Sequence, residues 1–159
     1  MLETINEQQV EYLIPNIVNK LLSAARSEEW DIIDEKIIPE ISRDYNNDGF
    51  TKELLKYAND ENPNVRDVVA TGLMAIDILN KELLKVAIKE MTVMAATDEE
   101  KFPAGRAALF LIKYKQESDN KDEIEVALND FKNLVNSKNW AEELAENIPQ
   151  LEGFINLNS

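Results

Sequence analysis

The chain has no cysteine and no histidine, four glycines and five prolines in 159 residues, and 17 basic side chains against 31 acidic ones. Each shortage closes off a class of chemistry. Without cysteine there is no disulfide framework, thiolate metal site or thiol nucleophile. Without histidine the usual general base, the imidazole zinc ligand and the side chain that titrates near neutral pH are all missing. A net charge of −14 argues against nucleic acid and against anionic membrane as partners, because both require a positive surface. Four scattered glycines cannot form a phosphate-binding loop. Apolar runs are only a few residues long and the N-terminal residues include Glu3 and Glu7. No membrane span or basic leader is expected, and the expected location is the cytoplasm.

What is present is helical periodicity. Val10, Leu13, Ile14, Ile17, Val18, Leu21, Leu22 and Ala25 follow the three- and four-residue steps of one helix face, which a strand could not use. Pro15 inside that run predicts a kink or a fresh start. Trp30, Ile33, Ile37 and Ile41 form a second stripe that contains Pro39. Arg43 to Phe50 is the richest turn cluster and predicts a loop, the best candidate for a boundary inside the domain. Further helices are expected over Thr51 to Ala58, Pro63 to Leu79, Lys81 to Thr97, Pro103 to Gln116, Asp122 to Val135 and Lys138 to Asn147. About eight helices with short joints imply antiparallel hairpins in a single domain, 1–159. It divides into an N-terminal hairpin at 1–50, a central part at 51–117 and a C-terminal hairpin at 118–159.

The central part repeats. Asp60-Glu61-Asn62-Pro63-Asn64-Val65-Arg66 and Glu100-Lys101-Phe102-Pro103-Ala104-Gly105-Arg106 both read acid, two residues, proline, two residues, arginine. Lys-Glu-Leu-Leu-Lys opens both Lys52 to Lys56 and Lys81 to Lys85. A period near 40 residues with one helix pair per period is the pattern of a stacked helical solenoid. The string Asp60-x-x-Pro63-x-Val65-Arg66, followed by Val69, Ala70 and Leu73, resembles the turn and second helix of a HEAT repeat. The resemblance implies an all-α, right-handed α-α superhelix of about four antiparallel hairpins, similar to HEAT or armadillo arrays. It also implies a hydrogen-bonded ladder between neighbouring repeats, with Asp60 and Arg66 at the ladder positions of one repeat and Glu100 and Arg106 at those of the next. The second copy departs from the pattern, with Glu for Asp and Gly105 where Val65 stands in the first.

No constellation of catalytic residues stands out. Asp44-Tyr45-Asn46-Asn47-Asp48-Gly49 copies the start of a calcium loop, with oxygen ligands at positions 1, 3 and 5 and glycine at 6. Position 8 is then Thr51 instead of an apolar anchor, and position 12 is Leu55 where a bidentate carboxylate belongs. An Asx-rich turn capping the next helix explains the stretch without a metal. Glu28-Glu29, Asp34-Glu35, Asp60-Glu61, Glu99-Glu100 and Glu142-Glu143 are adjacent carboxylates, and adjacent side chains on a helix point about 100° apart, so they do not converge for acid–base hydrolysis. Most aromatic residues fall on apolar stripes, while Tyr45 and Phe50 flank the polar loop and are expected to close over helix ends.

The expectation is therefore a non-catalytic module that binds a protein partner and carries no metal or cofactor. Its concave face would draw on the helices after Pro63 and Pro103, with Asp67, Thr71, Met74 and Lys113 as contacts. The charge suggests an alternative. Residues 1–50 carry 11 acids and 4 bases, 51–117 carry 11 and 10, and 118–159 carry 9 and 3, so the two ends hold nearly all the excess. An acidic inhibitor or immunity protein, or a phage antagonist that covers a basic protein such as a nuclease, fits this size and charge. The Asn-, Ile- and Lys-rich composition points to an AT-rich bacterial or phage genome. A HEAT-like DNA glycosylase fits worst, since the only basic groups on one face are Lys81, Lys85 and Lys89, with Lys113 and Lys115 elsewhere.

Overall fold

The computed structural model describes residues 7–156, and every regular element among them is helical. In chain order these are α1 (Glu7–Arg26), α2 (Trp30–Ile32), a π-helical segment (Ile33–Ile37), α3 (Ile38–Asp44), α4 (Asp48–Leu55), α5 (Pro63–Met74) and α6 (Lys81–Thr97). Then follow α7 (Lys101–Tyr114), α8 (Lys121–Ser137), α9 (Ala141–Asn147), a 3-10 turn (Pro149–Leu151) and α10 (Glu152–Asn156). No helix among the described residues is long and apolar enough to cross a membrane. The chain forms two compact units, Met1–Leu84 and Lys85–Ser159, and the division falls one turn into α6.

In the first unit α1 packs on α4, α5 and the π-helical segment. Its inward stripe is closed to solvent: Ile17, Val18, Leu21, Leu22 and Ala25 are all buried. The helix runs unbroken through Pro15. Proline lacks the N–H that would bond to the Glu11 carbonyl, a loss of about 3 kcal/mol in a helix interior. Both residues face solvent, where water can serve that carbonyl, and the buried stripe on the opposite face holds the helix together. The other proline on a predicted stripe is accommodated differently. The Ile38 N–H bonds back five residues to the Ile33 carbonyl, and this wider turn runs straight into α3, so the backbone stays helical up to Pro39 with the hydrogen-bond register shifted just ahead of it. Ile33, Ile37 and Ile41 stay fully buried throughout.

The predicted loop at Arg43 to Phe50 is shorter than its composition suggests, because α3 runs to Asp44 and α4 starts at Asp48. The Asn47 side chain accepts the Phe50 N–H at 2.9 Å and caps α4. Burial of Phe50 against Tyr45, with ring centroids 6.3 Å apart, draws Gly49 and Phe50 into the helix. Both rings point inward, whereas Tyr12, on the outer face of α1, is 81% exposed. Helix α5 is enclosed on nearly all sides, and no residue from Pro63 to Met74 is fully exposed. Gly72 permits that: a Cβ there would lie 2.7 Å from Leu54 Cδ2.

In the second unit α7 has the equivalent enclosed role, packed against α8, α9 and the 3-10 turn. Ala104, Ala107, Ala108, Phe110 and Leu111 are fully buried, and an apolar surface on all sides is what a central helix needs. Gly105 sits where a Cβ would meet Leu144 at 2.9 Å, Ile148 at 3.1 Å and Leu151 at 3.3 Å. The last helix, α10, is fastened by Phe154, which stacks on Phe131 and lies under the Lys132 ammonium at 4.3 Å from its ring centroid.

Candidate functional site

The two turns that carry the repeated acid, proline and arginine are the natural place to look for a site, and they differ in construction. In the first, Asn62 is the N-cap of α5 and its side chain accepts the Asn64 N–H at 2.8 Å. Asp60 Oδ1 accepts the Asn62 N–H at 2.9 Å. The Arg66 guanidinium turns back and donates to the carbonyls of Asp60 at 2.9 Å and Glu61 at 3.1 Å. The other Asp60 oxygen pairs with Arg26, at the end of α1, at 3.2 Å. Acid, cap and arginine thus tie the turn to its own helix and to α1.

In the second turn α7 starts at Lys101, two residues before Pro103, and its N-cap is Glu100. The Glu100 side chain is exposed and makes no cap bond. The role that Asp60 plays in the first turn falls to Asp98, whose Oδ1 accepts the Glu100 N–H at 2.9 Å. Arg106 is half-buried in α7, and Lys101 reaches Glu143 of α9 at 2.8 Å.

The expected partner contacts are placed unevenly. Asp67 is 8% exposed, and the Thr71 hydroxyl one turn later lies 3.1 Å from its Oδ1 and 3.0 Å from its carbonyl. That carboxylate is held inward. Thr71 and Met74 are half-buried, and Lys113, in the second unit, is exposed with its ammonium 5.1 Å from the Tyr114 ring centroid.

No protein-family model, curated protein or solved structure matches this chain. Among the described residues no three acidic side chains stand close enough to hold a metal ion. Two of the three would-be ligands of the calcium-like stretch are engaged at short range, since Arg43 forks onto Asp44 at 3.0 and 3.2 Å and Asn46 accepts the Asp77 N–H at 3.0 Å; the third, Asp48, is exposed and accepts from Asn80 at 3.4 Å, while Asn47 caps α4. The fork raises the Arg43 pKa, chiefly through its hydrogen bonds to Asp44 and then through the charge. Burial raises the Tyr45 phenol above its ordinary value, with the charges of Glu40 and Asp44 adding to the effect.

Sequence reasoning missed Asp98 and Arg26. Asp98 was legible in principle, as an acid two residues ahead of a helix N-cap, had the two turns been aligned on their helix starts instead of their prolines. Arg26 carried no sequence signal, since only the fold brings it to Asp60.

Proposed function

We propose that the chain is a non-catalytic protein-binding scaffold of HEAT-like helical hairpins, about four of them wound as a right-handed α-α superhelix. One observation carries the reading. The Asp60–Arg66 turn behaves as a joint between hairpins, its arginine closing on the turn carbonyls and its aspartate pairing with the preceding hairpin through Arg26. A joint made of local contacts suits a solenoid, in which each repeat touches only its neighbours. The proposed partner contacts are Thr71 and Met74 on α5 in the first unit, where Asp67 supports Thr71 from beneath, and Lys113 on α7 in the second. Affinity capture of a partner by the intact protein, repeated with Thr71→Arg and Lys113→Glu, tests this. The expected loss is about tenfold or more in Kd, on the order of 1.4 kcal/mol. A partner held equally well by both variants overturns the proposed face.

A second reading, an acidic inhibitor that covers a basic protein such as a nuclease, has its own observation. Glu28, Glu29, Asp31, Asp34 and Glu35 are all exposed, in the same short segment as Ile32, which is 39% exposed. Apolar anchors rimmed by charge suit a steered encounter with a basic surface. Under this reading Asp31→Lys with Glu35→Lys slows association and leaves the salt dependence shallower. Binding insensitive to both the variant and salt rejects it.

A further inference from the structure

We draw no further inference here: the strongest candidate, the outward stripe of α6 where Val86 and Val93 are each 50% exposed on either side of Lys89, is an unpartnered apolar face, and nothing in the structure shows what covers it.

Discussion

The turns before α5 and α7 look alike in sequence and are built in different registers. Counting from the prolines, the copies lie 40 residues apart; counting from the helix starts, Pro63 and Lys101, they lie 38 apart. The first helical bonds confirm the shorter spacing, Arg66 N–H to Asn62 in one and Ala104 N–H to Glu100 in the other. Pro63 is therefore the first helical residue and Pro103 the third, and both positions tolerate proline because the opening N–H groups of a helix have no internal partner. The arginines do not tolerate the shift equally. Arg106 stands two residues deeper in its helix than Arg66, about 200° further round the axis, so it cannot return to its turn carbonyls along the same path. What the two turns share is the acid two residues ahead of the N-cap, Asp60 and Asp98, each accepting the N-cap N–H at 2.9 Å.

The sharpest way to probe this difference is through the glycines that let each enclosed helix fit. Replacing a helical glycine by alanine gains about 1 kcal/mol of helix propensity, against about 1–3 kcal/mol for overpacking. At Gly72 the added methyl crowds one side chain, Leu54, the next neighbour being 3.6 Å away. A single leucine can rotate, so Gly72→Ala should leave stability within about 0.5 kcal/mol of the parent. At Gly105 three side chains from two elements and their joint must retreat together. Gly105→Ala should cost about 2 kcal/mol. Urea unfolding followed by tryptophan emission reads both, with Trp30 in the first unit and Trp140 in the second. Equal costs would mean that the two helices are enclosed alike.

Next in size are the caps. Asn62→Ala should cost about 1 kcal/mol, the usual value of an N-cap side chain, whereas Glu100→Ala should be close to neutral because that side chain caps nothing. Asp98→Ala should resemble Asn62→Ala, at about 1 kcal/mol. Thermal unfolding of the three variants checks the register directly. If Glu100→Ala proves the costlier of the two acids, the proline alignment describes the second turn better than the helix start does.

These contrasts mark how far the sequence could be read. The all-helical fold was legible because its apolar residues keep helical steps, and Lys81–Thr97 was bounded as observed. The ends of other helices were less legible. Pro63 to Leu79 stops at Met74 in the structure, since Ile76, buried in the connecting segment, continues the spacing of Val69 and Leu73 and looks like helix stripe in one dimension. The Asp44–Gly49 stretch reads as loop by composition, yet Phe50 has a buried place and Asn47 a cap to supply, and tertiary burial prevails over local propensity. The proposed partner contacts were read from the sequence only as positions on α5 and α7. Whether a side chain such as Asp67 points outward depends on how many neighbours enclose its helix, and helical period alone carries no such information.

The smallest effect separates the turns by what each grips. The first is fastened to α1 by Arg26 and Asp60 at 3.2 Å, and the second to α9 by Lys101 and Glu143 at 2.8 Å. Distance alone favours the second pair. Order favours the first: Asp60 is already fixed by the Asn62 N–H and its side chain is 23% exposed, while Glu143 is 60% exposed and must give up more side-chain freedom to meet its lysine. Exposed pairs are worth about 0.2–1 kcal/mol. Double-mutant cycles with alanine should therefore give a coupling of about 0.5 kcal/mol for Arg26 with Asp60 and about 0.2 kcal/mol for Lys101 with Glu143. Both should fade in about 1 M salt, where the screening length is about 3 Å. A larger coupling at Lys101 would show that proximity outweighs the fixing of Asp60, and the first turn would lose its claim to be the better-made joint.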